Sequence, residues 1–441
     1  MSMEAENEKN WVISESAIAQ CQEAIKIDPC NFKNYLYLAQ IFEKQGHFEA
    51  AIRTYRQAIA IVPECAQFLF NLGDRLLKVG ETGLARKSYY LATLAIYPDL
   101  AINLHFNSEL TFGQHILWDP WLLKTTDGYR LFYLTGKRHI QPFWKQGQIS
   151  AAISPDLKNW DYLGTVLTPI ATSDWEADNL CAGSAYQEGN CYYLFYSASV
   201  YQADGVIQSI GLATSSDGVN WRRSPQPILK PDPRFYGGSI RPQLDQNDPI
   251  TKIVQCRDPY ILKKDKTGQY YMFFTAVVGR SRGENPTYSG CVGVAVSDKI
   301  DGLYRCLPPA CDPVISHSQE SIFYELERPQ VIFKNNRYYL FFSCWTRLIN
   351  PAWLETVDRR LISDSSLYCY VSDRLTGPYR AIASTPVVSG SEKTELYGTQ
   401  LMETPSGDGL FAYGWYCKSK TLEISPRFPA IWTGDRWEII T

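Results

Sequence analysis

Several things are missing from this 441-residue sequence, and each absence narrows its function. No block or stripe of lysine and arginine occurs. With a formal charge of −3, the chain offers no electrostatic footprint for nucleic acid or an anionic membrane. No apolar run approaches the roughly 18–20 residues of a membrane span. The opening MSMEAENEKNWVISESAIAQ is polar and acidic, without the basic and apolar regions of a secretory signal, so a cytoplasmic protein is expected. The twelve cysteines form no CxxC or zinc spacing and the five histidines no HExxH, so no metal and no cofactor is expected. In a chain without an export signal the cysteines read as reduced, mostly buried small hydrophobes. What remains is 45% hydrophobic and 20% charged, enough to bury a large core, over a length that suggests two or three domains.

The first hundred residues repeat. EAIKIDP ends at Pro29, RQAIAIVP at Pro63 and LATLAIYP at Pro98, and Gly46 and Gly80 are likewise 34 residues apart. This is the tetratricopeptide period. One repeat runs through Tyr35, Leu38, Ala39, Phe42, Ala51, Tyr55 and Ala58. The next runs through Leu69, Leu72, Gly73, Leu76, Ala85, Tyr89 and Ala92, and a partial repeat precedes both. Small residues let paired helices approach, and large ones fill the groove between them. Such arrays usually need about three units. This one, expected over 12–108, therefore leans on the next domain or on a partner, either as a docking surface for protein or as a structural cap.

From residue 113 the period changes. An aromatic strand motif recurs as YRLFYL, YYLFYS, YYMFFT, YYLFFS and LFAYGW, starting at 129, 192, 270, 338 and 410. The first four are followed by a second apolar strand, a Ser-Asp or Ser-Pro-Asp turn and an aromatic. Asp217, Asp298 and Asp373 read as residues that tie such turns. Five similar all-β units indicate radial repetition, and a five-bladed β-propeller is expected over 110–441.

A carboxylate stands ahead of three of the five motifs: Asp119 in LWDPWLL, Asp258 in CRDPYIL and Glu327 in ELERPQV. They precede Tyr129, Tyr270 and Tyr338 by ten, twelve and eleven residues. Near-equivalent positions in a radial array converge on its axis. A single acid ahead of a strand is usually structural, but three at matched offsets beside Pro or Arg-Pro point to a shared pocket. There like charges perturb one another's ionisation, and Arg257 and Arg328 hold the charge. Converging carboxylates without a metal motif suit glycoside chemistry, in which one acid protonates the leaving oxygen and another attacks carbon or activates water.

These motifs, in this order, resemble the levansucrase and inulosucrase family, glycoside hydrolase family 68, a relative of the invertase-like family 32. The resemblance spans roughly 113–441. It implies a fructosyl-transferring or hydrolysing enzyme acting on sucrose or a related fructoside. Asp119 of WDPW would be the nucleophile, Asp258 of RDP the transition-state stabiliser and Glu327 of ELERP the acid/base. It implies substrate-binding roles for Trp118, Ser184, Arg257, Glu325, Arg328 and Tyr397, with Ser184 of AGSA near the nucleophile and Arg328 beside the acid/base. The family's Ser and Trp-Pro after the nucleophile are here Pro120, Trp121 and Leu122. Its pocket tryptophan before SGSA is replaced by Cys181 or Ala182. Two other readings stay open: an inverting arabinanase- or xylosidase-type propeller glycosidase, and a non-catalytic sugar-binding scaffold.

Overall fold

A computed structural model of the chain describes residues 16–29, 31–45, 47, 50, 51, 54 and 57 of the N-terminal part. Beyond these it describes 103–105, 115–137, 142–157, 159–202, 205–240, 252–264, 267–278, 289–407, 409–416, 428–434 and 436–441. The chain divides into two compact units, Met1–Ala101 and Ile102–Thr441.

In the first unit, helix α1 (residues 16–27) is followed by a tight turn and helix α2 (Phe32–Lys44). The Tyr35 hydroxyl donates to the Pro29 carbonyl at 3.1 Å and fastens the turn to the second helix. Tyr35, Leu38 and Ala39 are buried, the i, i+3, i+4 stripe of an amphipathic helix, and Ala51 is buried as well. The repeat expected over Leu69–Ala92 lies outside the described residues.

The second unit is a five-bladed β-propeller built from five sheets. Blade one holds β1 (Asn103–His105), β2 (His115–Thr125), β3 (Gly128–Lys137), β4 (Gln148–Ser154) and β5 (Asn159–Leu167). Blade two holds β6 (Asn179–Glu188), β7 (Cys191–Tyr201), β8 (Gly205–Ser215), β9 (Arg222–Arg223), β10 (Ser239–Ile240) and β11 (Lys252–Val254). Blade three is β12 (Cys256–Lys264), β13 (Gln269–Val277), β14 (Gly290–Ser297) and β15 (Arg305–Cys311). Blade four is β16 (Glu327–Lys334), β17 (Arg337–Ser343), β18 (Leu367–Ser372) and β19 (Arg380–Ala381). Blade five is β20 (Leu396–Glu403), β21 (Leu410–Tyr416), β22 (Phe428–Trp432) and β23 (Trp437–Ile439).

The aromatic motifs are the second strands, β3, β7, β13, β17 and β21, and the Ser-turn motifs follow the third strands. The second strands are buried on both faces, which explains their unbroken apolar runs: Phe132, Phe195, Phe273, Phe274, Phe341 and Phe342 have no exposed surface. The inner strands β2, β6, β12, β16 and β20 touch in sequence, and β20 meets β2 to close the ring. The Leu122 amide donating to the Tyr413 hydroxyl at 3.0 Å reinforces that seam. The turns behave as read: Asp217 accepts from the Val219 and Asn220 amides, Asp298 from Gln269, and Asp373 pairs with Arg337. Six of the nine described cysteines are buried, and none of the nine forms a disulfide with another described residue.

One boundary differs from the sequence reading. The short strand β1 pairs in parallel with β5 and so belongs to blade one, although it precedes residue 110.

Candidate active site

Each inner strand carries one bulge at the same place. In β2 the pairing shifts between Trp118 and Trp121, in β6 between Cys181 and Gly183, in β12 between Arg257 and Tyr260, in β16 between Glu327 and Gln330, and in β20 between Tyr397 and Gln400. Bulges add a residue and re-aim side chains, and they recur beside active sites. The residues before the bulges are Trp118, Cys181, Arg257, Glu327 and Tyr397, and all five line one cavity of about 180 Å³ at the mouth of the propeller. The first residues within the bulges are Asp119, Ala182, Asp258, Arg328 and Gly398. Four of these have positive φ, between 45° and 60°. Three are non-glycine residues held in the left-handed region, where the surrounding structure must offset the steric cost.

This register refines the alignment of the acids. Asp119 and Asp258 share a bulge position, but its counterpart in blade four is Arg328. Glu327 stands one residue earlier, at the position of Arg257. The two Asp side chains and Glu327 still converge on the cavity, with Glu325.

Arg257 organises the acids. Its Nη2 donates to Glu325 at 2.7 Å and to Glu327 at 2.8 Å, and its Nε lies 3.7 Å from Asp258. Glu325 and Glu327 thus face the same side, as residues two apart on an extended chain should. Tyr397 donates its hydroxyl to the other oxygen of Glu327. Asp258 accepts from the Thr275 hydroxyl and from the Arg328 amide, each at 3.1 Å, and its own amide donates to Ser197 at 2.8 Å. Asp119 accepts from the Trp415 indole at 2.8 Å. Arg328 sits behind the site: its guanidinium donates to the Pro120 and Gly183 carbonyls and lies over the Trp121 ring, and it does not line the cavity.

The electrostatics follow from four carboxylates sharing two buried arginines. Burial pushes Asp119 up to about 7; Asp258 and Glu327 add to this, while Arg328 and the Trp415 hydrogen bond oppose it. Asp258 is also raised, chiefly by burial and then by Glu327, against Arg257 and Arg328. Burial works against the charge on Arg257, but Glu325, Glu327 and Asp258 outweigh it and hold the guanidinium firmly protonated. Burial and the same glutamates hold the Tyr397 hydroxyl protonated, so it stays a donor. Burial pushes the Cys181 thiol up to about 12, and it remains neutral.

Ser184 does not join the site. The bulge residue of blade two is Ala182; Ser184 pairs with Phe195 further along β6, does not line the cavity, and its hydroxyl has no hydrogen-bond partner among the described residues. Several lining residues were not singled out from the sequence: Phe143, Trp144, Trp345, Arg347 and Trp415. Trp345 stacks on Tyr397 with ring centroids 3.9 Å apart, and Arg347 lies over the Trp345 ring. The aromatic wall expected at Cys181 is therefore supplied from blades one, four and five. A signal for Trp415 was present. It is the sixth residue of LFAYGW, at the place where the other motifs carry Leu134, Ser197, Thr275 and Ser343, each paired across the sheet with the residue before the bulge.

A five-bladed propeller whose inner strands bring three or more carboxylates to one cavity is the architecture of a glycoside-processing enzyme. Residues 114–290 match the glycosyl hydrolases family 32 N-terminal domain, and residues 36–101 match the tetratricopeptide repeat. The extracellular sucrase of Zymomonas mobilis is 25% identical over 330 residues, covering 65% of this chain and 74% of that one. Levansucrase of Erwinia amylovora is 29% identical over 164 residues, 32% of this chain and 36% of that one. Among solved structures, an inulosucrase from Halalkalicoccus jeotgali bound to kestose superposes with a TM-score of 0.55 at 20% identity, covering 77% of this chain and 91% of that one. Bacillus subtilis levansucrase gives 0.56 at 16%, covering 79% and 92%. The chain is a glycoside hydrolase or fructosyltransferase similar to sucrases and levansucrases, preceded by tetratricopeptide repeats.

Proposed function

We propose that the propeller catalyses retaining β-fructosyl transfer or hydrolysis on sucrose or a related fructoside. The observation that supports this best is the single arginine, Arg257, holding Glu325 and Glu327 together beside Asp258, with Asp119 in the same cavity. The sucrase and levansucrase names of the relatives supply the substrate.

In this reading Asp119 attacks the fructosyl anomeric carbon while Glu327 gives its proton to the leaving oxygen. Glu327 then takes a proton from water or from an acceptor hydroxyl, whose oxygen displaces Asp119. Asp258 stays anionic against ring hydroxyls as positive charge develops on the sugar. Arg257 and Tyr397 keep Glu327 pointed at the leaving oxygen. Glu325 and Trp118 contact substrate, while Arg328 fixes the two aspartate-bearing bulges from behind. The repeat segment, in this reading, docks a protein partner and takes no part in the chemistry.

The test is incubation of the purified protein with sucrose and separation of glucose, fructose and oligosaccharides. Glucose release, with fructose free or built into oligosaccharides, is expected. An intact sucrose pool under a protein that remains folded would contradict the reading.

A further inference from the structure

The bulge ring leaves Asp119 unusually bare. Its neighbours in that ring are Ala182 of blade two and Gly398 of blade five, neither of which carries a polar side chain. Asp258 differs, since Thr275 and the Arg328 amide both donate to it. Ser184, the hydroxyl nearest Ala182 in sequence, has no hydrogen-bond partner among the described residues and does not line the cavity. The single hydrogen bond to the Asp119 carboxylate among the described residues comes from Trp415 Nε1.

We propose that Trp415 of blade five is the positioning residue for the nucleophile, and that Gly398 makes the gap through which its indole reaches Asp119; this rests on the assignment of Asp119 above.

Three observations carry it. First, Trp415 occupies the sixth place of its strand motif, and two of the other four residues at that place reach the next blade. Ser197 of blade two accepts from the Asp258 amide, and Thr275 of blade three donates to the Leu326 carbonyl ahead of blade four. Trp415 of blade five closes the circle onto blade one. Second, the indole is fixed. It is 3% exposed and meets the rings of Tyr397, Trp345 and Phe143 at 5.7, 6.0 and 6.3 Å. Third, glycine keeps the gap open, since a side chain there would crowd the Asp119 carboxylate. Gly398 has φ +60°, and a Cβ there would lie 3.1 Å from Asp119 Oδ1 and 3.5 Å from Trp415 Nε1.

The chemical consequence is specific. An indole N–H only donates, so it favours the ionised carboxylate and leaves Oδ2 free to attack carbon. It acts against the groups that face Asp119 from the neighbouring strands: Asp258 and Glu327, which disfavour its charge, with Arg328 helping and the neutral Cys181 nearby.

The experiment uses Trp415→Phe, which keeps a ring for the stacking contacts and removes the N–H. A hydrogen bond to a charged group contributes about 1.5–3 kcal/mol. The ascending limb of the kcat/KM–pH profile should therefore move up by about one to two pH units, with kcat about ten- to hundredfold lower and KM nearly unchanged. An unmoved limb in a folded Trp415→Phe protein overturns the proposal. A second readout needs no turnover. In the indole N–H spectrum, the resonance missing from Trp415→Phe should titrate near pH 7 in the wild type and be pH-independent in Asp119→Asn. A resonance that ignores both pH and Asp119→Asn overturns the contact. If the wild type does not process sucrose at all, the functional reading falls, while the indole titration still decides the Trp415–Asp119 contact.

Discussion

Arg328 stands in blade four where Asp258 stands in blade three. Both lie in the bulge of an inner strand with positive φ, and the Arg328 amide donates to the Asp258 carboxylate at 3.1 Å. The same register places Glu327 opposite Arg257, and these two form an ion pair at 2.8 Å. Between β12 and β16 the sign therefore alternates: base before acid in β12, acid before base in β16, and acid against base across the two strands. An acid/base residue set this way has a fixed direction and a fixed partner, which is what proton transfer to a leaving oxygen requires.

The first prediction separates Glu327 from Glu325. Both accept from Arg257, but Tyr397 donates to Glu327. With a fructoside whose leaving group needs no proton, Glu327→Gln should recover much of its fructosyl-transfer rate, whereas Glu325→Gln should not. Pre-steady-state release of that leaving group reads both. Rescue of Glu325→Gln alone would exchange the two roles.

Arg257 carries the second prediction. It is buried and is the cation for two glutamates. Arg257→Met leaves them without a counter-charge and should destabilise the propeller by about 3–5 kcal/mol, the cost of breaking a buried pair. Arg257→Lys keeps a charge but cannot present a fork to both acids, so it should lose less stability than the Met variant while activity still falls. Denaturant unfolding of both proteins checks the order; equal stability to wild type in Arg257→Met would contradict it.

A third prediction follows from the raised Asp119, at about 7 against an ordinary 3.8. Between those values the native protein holds a proton that the unfolded chain has released. Wild-type stability therefore falls as pH rises through that window, and above it the cost is complete. Asp119→Asn removes the titration. It should be more stable than wild type at pH 8 by a few kcal/mol, with the advantage vanishing below pH 4. A stability difference that does not change with pH would contradict the electrostatic account.

The motifs marked the second strands correctly because a strand buried on both faces has no freedom to be polar. The acids were legible because three of them recur at similar offsets beside Pro or Arg-Pro, where one alone would read as structural. Their offsets, ten, twelve and eleven, hid the register. Asp119 lies five residues before Lys124, the partner of Tyr129; Asp258 lies five before Lys263, the partner of Tyr270; Arg328 lies five before Phe333, the partner of Tyr338. The strand spacing is constant and only the hairpin turn varies, so Arg328 rather than Glu327 is the counterpart. Ser184 is placed near the nucleophile by the resemblance of AGSA alone; the same spacing puts Ala182, five residues before Gln187, the partner of Tyr192, at the bulge. Trp345 and Arg347 reach the cavity from the loop after β17, and no periodicity reports where a loop turns.

The fourth prediction concerns the first unit. All candidate site residues lie in Ile102–Thr441, and β1 completes blade one. A truncated protein beginning at Ile102 should keep its sucrose chemistry. One beginning near Thr111 loses β1 and should be less stable. A folded but inactive protein from Ile102 would show that the helical repeats shape the site.

The nucleophile is the centre of the account, and it is tested most directly by trapping. Glu327→Gln, given a fructoside with a leaving group that needs no proton, should form the fructosyl-enzyme but lack the base that resolves it. Proteolysis and mass spectrometry of the accumulated protein should then find one fructosyl unit on the peptide carrying Asp119, and none in the Asp119→Asn, Glu327→Gln double variant. An adduct on another residue, or rapid leaving-group release with no adduct at all, would contradict it.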